Sequence, residues 1–302
     1  MPTKKLITPA YLKSGDCIGI VAPARKISAE ELAPAIKLLE GWGLKVKLGK
    51  HIYSVCNQFA GTDEERSADL QAMLNHTEIK ALIAARGGYG EVRIVDNLDF
   101  SEFKKHPKWI VGYSDVTVLH NHIHTHTGIE TLHATMPINF TKDIESTNFL
   151  KKALFGESIS NTIASNKLNR QGEANGILVG GNLSLLYALA ATPSDIDTTG
   201  KILFLEDLDE YLYHIDRMMM QLKRSGKLSG LKGLVIGSFS EMKDNTVPYG
   251  KTAEEIIWDA VKDYDYPVSF DFPAGHGNRN YPLYFGREIQ LSVKEKTSLK
   301  FL

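Results

Sequence analysis

Trp109-Ile110-Val111-Gly112-Tyr113-Ser114-Asp115-Val116 is the stretch on which the fold turns. Three large apolar residues run into a small-residue turn. A helical pattern with Val116, Leu119 and Ile123 follows at once. A buried strand thus feeds a helix through a serine-bearing corner, the layout of a nucleophile elbow. The fit to the lipase-type pattern is partial, because Gly112 stands two residues before the serine but Val116 replaces the second glycine. The other reading of Ser114 is a helix N-cap.

Upstream the same rhythm repeats. Cys17 to Ala22 reads as a buried strand stopped by Pro23, and Leu44 to Leu48 and Ala81 to Ala85 as further strands. Between them lie helices with capping-box signatures, Ser28 with Glu31 and Thr62 with Glu65. The first carries Leu32, Ile36, Leu38 and Leu39; the second runs from Thr62 to Leu74. Strands alternating with helices in this way imply βαβ units and a parallel sheet. Residues 1–145 are therefore expected to form an N-terminal α/β domain carrying Ser114. From about Thr141 to Ala174 the chain turns polar, and 146–175 is expected to be a linker with local structure. Residues 176–302 read as a mixed α/β domain. Its strands are Gly176–Val179, Ile202–Leu205, Leu234–Gly237, Val268–Phe272 and Ile289–Val293. Helices are expected at Asn182–Leu189, Ile215–Leu222 and Ala253–Val261.

The chain of 302 residues is long enough for two domains. Lys plus Arg number 35 against 36 Asp plus Glu, which argues against a broad nucleic-acid surface. Two cysteines cannot make a disulfide framework and suit a reducing compartment. No apolar run reaches the ~18 residues of a membrane span, and no signal peptide is expected. These features point to a cytoplasmic protein.

A serine nucleophile needs a base. His120, His122, His124 and His126 follow Ser114 on its helix. His120 and His124 stand one turn apart, a spacing that tempts a metal reading, but no acidic ligand accompanies them. They are expected to be partly solvated helix histidines, with no metal. His276 lies between Gly275 and Gly277 just past a strand end, where catalytic groups collect in open sheets. The orienting acid is expected at the mouth of the strand Ile202–Leu205, where Glu206 and Asp207 point to opposite sides and only one can face a site. Backbone donors for an oxyanion would come from Asp115 and from the glycine turn Arg86-Gly87-Gly88-Tyr89-Gly90. That turn lacks the Lys-Ser/Thr of a phosphate loop. Arg86 is placed either to grip a substrate carboxylate or to pair with an acid under the turn. Gly180-Gly181-Asn182 either caps a helix or lines the site.

Taken in order, these segments resemble the LD-carboxypeptidases, the serine peptidase family that also contains the microcin C immunity peptidases. Carrying the resemblance are Ser14-Gly15-Asp16, Ile18 to Pro23, Gly61 to Arg66, Arg86 to Gly90 and Gly112 to Asp115. In the second half it rests on Gly180-Gly181-Asn182, Leu205-Glu206-Asp207, Ile215-Asp216-Arg217 and Gly275-His276. The resemblance implies a Ser114, Glu206, His276 triad and an oxyanion hole from the amides of Gly88 and Asp115. It implies a site in the cleft between the domains; Arg86 and Asn182, by the reading of the residues above, are the candidate substrate contacts. It further implies no cofactor, a homodimer, and removal of the terminal D-alanine from murein tetrapeptides in cell-wall recycling. The rival readings are an aminoacyl-nucleotide conjugate as substrate, or a silent binding protein for peptidoglycan peptides. Leu208-Asp209-Glu210, where a glycine is common, departs from the family pattern and bears on the substrate pocket.

Overall fold

The computed structural model describes residues 6–302. Its first half is a sheet covered by helices on both faces. The strands are β1 (Cys17–Val21), β2 (Lys45–Leu48), β3 (Ile79–Ala84), β4 (Trp109–Gly112) and β5 (Thr131–His133). They pair in parallel in the order β2-β1-β3-β4-β5. Pleating sends Ile18, Ile20, Ile83 and Val111 to one face, against Leu32, Ala35 and Leu39 of α1 (Ala29–Gly41). It sends Val21, Leu82 and Ile110 to the other, against α2 (Asp63–Asn75). Burial of each such side chain contributes about 1.5–3 kcal/mol, which explains why these strands read as unbroken apolar runs. Both capping boxes form, at Ser28 with Glu31 and at Thr62 with Glu65. The helices α3 (Ser101–Lys105) and α4 (Thr117–Thr127) complete this side.

The 146–175 segment is more ordered than the expected linker. It holds most of α5 (Ile144–Leu154), whose Leu150, Ala153 and Leu154 are buried in the first core, and all of β6 (Asn161–Ala164). Some of its polar residues are themselves buried, Ser146, Thr147 and Asn161 among them.

The second sheet contains β7 (Gly172–Asn182), β8 (Ile202–Leu208), β9 (Gly233–Ser240) and β10 (Val268–Ser269) in parallel. After β11 (Leu283–Phe285) come β12 (Glu288–Val293) and β13 (Lys296–Phe301). With β6 these two extend the β7 edge in antiparallel fashion. Helices α6 (Leu183–Leu189), α7 (Leu212–Arg224) and α8 (Ala253–Val261) pack on one face through Ile215, Met218, Met219, Ile256 and Ile257. β11 leaves this half and pairs antiparallel with β5 of the first sheet. Its Leu283 and Phe285 are buried with Leu178, Phe204 and Leu291, so one apolar cluster joins the two halves. Both cysteines are free thiols, and no helix among the described residues is long and apolar enough to cross a membrane.

Candidate active site

The strand order places the carboxyl ends of β1, β3 and β4 side by side, where connections leave to opposite faces and open a crevice. The carboxyl ends of β7 and β8 and the loop after β10 face it. A cleft of about 410 Å³ lies there, lined from the first half by Arg25, Arg86, Gly88 and Ser114 and from the second by Asn182, Asp207 and His276. That size suits a small-molecule or short-peptide ligand.

Ser114 sits at the corner between β4 and α4 with φ +64°. A left-handed backbone costs a residue with a Cβ about 1–2 kcal/mol, and such strain persists only where the surroundings impose it. Here Gly112 turns the chain at φ +153°, where a Cβ would lie 2.7 Å from Val116 Cγ2. Gly87 leaves room for the hydroxyl, because a Cβ there would stand 2.9 Å from Ser114 Oγ. The N-cap reading of Ser114 does not hold. Val116 occupies the cap of α4 and no side chain caps that end. The serine oxygen is thus not spent on capping.

His276 is held by Glu206. Its Nδ1–H donates to Glu206 Oε2 at 2.6 Å and its backbone N–H to the same oxygen at 3.2 Å. Glu206 is fully buried, and Gly275 permits the approach, since a Cβ there would meet Glu206 Oε2 at 2.6 Å. Burial by itself lowers the His276 pKa; the charge and hydrogen bond of Glu206, helped by Asp207 and Glu241, outweigh it and hold the value above 6.5. The Tyr113 ring lies 4.7 Å from the imidazole, centroid to centroid, and its hydroxyl accepts from Asn139 Nδ2 at 2.9 Å.

Glu206 and Asp207 do diverge, but both serve the site. A register shift between β8 and β9 falls between Leu205 and Asp207. Glu206 turns to the histidine while Asp207 lines the cleft. Asp207 accepts from Asn182 Nδ2 at 2.9 Å and from the amides of Ser184 and Leu208. Burial and the neighbouring Glu206 push its carboxyl up to about 7. Asn182 does both things the sequence left open: its Oδ1 accepts from Leu185 N–H as the α6 cap, and it lines the cleft.

Arg86 lies near an acid, as one of its two readings expects, and also lines the cleft. It donates to Lys26 O at 3.2 Å and lies 3.9 Å from Glu31, yet it faces the cleft beside Arg25 and Lys142. Sequence reasoning missed Arg25, Lys142 and Tyr113. Arg25 and Tyr113 had a signal, the one following β1 and the other directly preceding Ser114. The glycine turn brings Gly88 to the cleft at φ +126°, with a Cβ there excluded by Arg25 Cβ at 2.8 Å.

The histidines of α4 are not partly solvated as a group: His120 and His122 are buried. His120 Nε2–H donates to Gly112 O at 2.9 Å, bracing the elbow. His122 shares a hydrogen bond with Ser194 Oγ, and His126 donates to Pro193 O, so α4 is stitched to the second half. Burial takes both His120 and His122 down to about 4, which keeps them neutral at pH 7.

Comparisons with known proteins agree with this architecture. The LD-carboxypeptidase N-terminal domain matches residues 18–134, and the LD-carboxypeptidase C-terminal domain matches residues 175–291. A probable murein peptide carboxypeptidase of Bacillus subtilis is 38% identical, over 96% of this chain and 93% of its own. The crystal structure of a muramoyltetrapeptide carboxypeptidase from Oxalobacter formigenes superposes with a TM-score of 0.86 at 31% identity, covering 94% of this chain and 98% of that one. A microcin self immunity protein in complex with aspartyl sulfamoyl adenosine shares the fold, with a TM-score of 0.88 at 18% identity over 98% of each chain. With both domains matched in order and a relative aligned over nearly its whole length, the chain belongs to the LD-carboxypeptidase family.

Proposed function

We propose that this protein is a serine carboxypeptidase that releases the terminal D-alanine of murein tetrapeptides, with Ser114, Glu206 and His276 as its triad. The observation that carries the reading is the buried 2.6 Å Glu206–His276 couple opening onto the same cleft as a strained serine. His276 takes the Ser114 proton through Nε2 as Oγ attacks the carbonyl of the last peptide bond. Glu206 keeps the other ring nitrogen protonated and stabilises the imidazolium. The amides of Gly88 and Asp115 receive the oxyanion. His276 then protonates the departing amine, and water releases the acyl group by the same path. Arg25, Arg86 and Lys142 give the cleft a cationic wall suited to the free carboxylate that a carboxypeptidase must recognise. The relatives named for murein peptides support this substrate class. The same reading takes the protein to be a cytoplasmic homodimer, as the family resemblance implies.

The test is incubation with a murein tetrapeptide and detection of free D-alanine by mass. Release is expected, and amidating the terminal residue should lower kcat/KM at least about 30-fold, a barrier rise of ~2 kcal/mol, the scale of an unmade charged hydrogen bond. Equal rates on the amide would overturn the carboxypeptidase assignment. An untouched tetrapeptide beside rapid cleavage of an aminoacyl-nucleotide conjugate would move it to the other branch.

A further inference from the structure

Ser114 and His276 stand on different halves of the chain, so contacts that cross between the halves must set their separation. His276 rides on the loop between β10 and β11, with Gly275 at φ +107° before it and Gly277 after it. Glycines on both sides leave such a loop free to move unless contacts fix it. Some of these contacts lie within the second half. Glu206 Oε2 accepts two bonds from His276, the Gly277 amide donates to Ser238 Oγ at 2.8 Å, and Ser240 Oγ–H donates to His276 O at 3.2 Å. Their partners all belong to β8 or β9, so they place the imidazole against that sheet and not against Ser114.

A separate chain of bonds runs from the loop to the first half. The Gly275 amide donates to Asn280 Oδ1 at 2.9 Å, and the Asn280 amide donates to Ser146 Oγ at 2.8 Å. The Ser146 amide donates in turn to Asp143 Oδ1 at 3.0 Å, the N-cap of α5. Leu150, Ala153 and Leu154 lock α5 into the first core. Asn280 and Ser146 are both buried, where a donor stripped of its acceptor is costly, so these bonds resist opening. Further out, Tyr281 O–H donates to Glu145 and Arg279 lies 3.1 Å from the same carboxylate. That ion pair is about half exposed and screened by water, so it constrains the loop less.

We propose that Ser146 and Asn280 are positioning residues of the reaction, a buried clamp that sets the distance of His276 from Ser114 by tying the base loop to α5. The inference rests on the serine mechanism proposed above. Neither side chain lines the cleft, so neither acts by touching the peptide. Truncating Ser146 strips the Asn280 amide of its acceptor. Truncating Asn280 does the same to the amide of Gly275, the residue before the base. Either change leaves the Glu206–His276 couple whole, because that couple is held from β8. What is released is the placement of the couple against the serine. A misplacement of about 1 Å between reacting groups can cost about 10²-fold in rate.

A fluorophosphonate probe tests this without relying on the peptide substrate. Ser114 Oγ displaces fluoride from phosphorus as His276 takes the proton, and intact mass follows the adduct. Wild type, Ser146→Ala, Asn280→Ala and the double variant are labelled from about pH 5 to about pH 9, at a temperature below their melts. Each single variant is expected to label to completion but at least ~10-fold more slowly. The double variant is expected to match the slower single one within about twofold, because both residues act through one chain. The acidic limb of the labelling rate is expected to stay where wild type has it. The charges facing His276 are Glu206, Asp207 and Glu241, and the rings beside it, His133 and Tyr113, are neutral; neither substitution removes any of them. Absence of adduct on wild-type Ser114 overturns the serine mechanism and this inference together. Given an adduct on wild type, variants that label at the wild-type rate, with only a lower melt or a smaller labelled fraction, overturn the clamp alone. So does a displaced acidic limb, or losses that multiply in the double variant. Should Asn280→Ala not fold, the rate and limb of Ser146→Ala decide.

Discussion

The two halves of the molecule hold their shares of the site by opposite means. In the first, backbone does the positioning: Ser114 is kept at φ +64° by Gly112 and given space by Gly87. In the second, buried polar side chains do it: Glu206 holds His276, and Asn182 holds Asp207. The difference reflects what each group must do. A nucleophile must keep its oxygen free of structural hydrogen bonds so that the base can take its proton, and here the backbone fixes it. A base must be oriented and have its charged form stabilised, which takes a hydrogen-bonded carboxylate. Mutations should therefore behave differently on the two sides.

The largest effect expected on the polar side is from Glu206→Gln. Neutralising the orienting acid should lower kcat by ~10³–10⁴, as tautomer control and imidazolium stabilisation are lost. The pH profile sharpens the point. His276 acts as base only when neutral, and Glu206 holds its pKa above 6.5, so the acidic limb of kcat/KM should lie above 6.5. Glu206→Gln removes the main cause that opposes burial, and the limb should move to lower pH. A limb that stays in place would show that His276 is not the titrating base.

Smaller effects concern stability, and they should carry opposite signs in the two halves. Asn182→Ala removes the α6 cap and a donor to buried Asp207, and unfolding should become easier by about 1–3 kcal/mol. Ser114→Gly relieves the left-handed strain but adds freedom to the unfolded chain. It should leave a net gain of about 0.5 kcal/mol, read as a slight rise in Tm. A loss of stability in Ser114→Gly would mean that the corner is not strained.

Much of this arrangement is legible in the sequence, and the exceptions have physical causes. The strands β1, β3 and β4 are buried on both faces and announce themselves as apolar runs; α1 and α2 announce their starts through capping boxes. β5, β6 and β11 are three or four residues long and exist because a neighbour pairs with them. β11 even crosses back to the other half, which no local pattern encodes. At the site, Ser114 and His276 are marked by glycines that their backbones require. Local pattern alone leaves Glu206 and Asp207 undecided and the family resemblance names Glu206; the two diverge where the register between β8 and β9 shifts, which depends on pairing. The α4 histidines look solvated on a helix ladder, yet Gly112, Ser194 and Pro193 bury or bind them from elsewhere in the chain.

The account stands most directly on Ser114→Ala. Alanine keeps the corner and its strain but removes the oxygen. Initial rates of D-alanine release from a murein tetrapeptide should be compared for wild type and variant, with a thermal melt on each. The prediction is an unchanged melt and a loss of about 10⁴-fold or more, the scale seen when a nucleophile is deleted from such a triad. A folded variant that retains more than about a hundredth of the wild-type rate would contradict a mechanism through this serine.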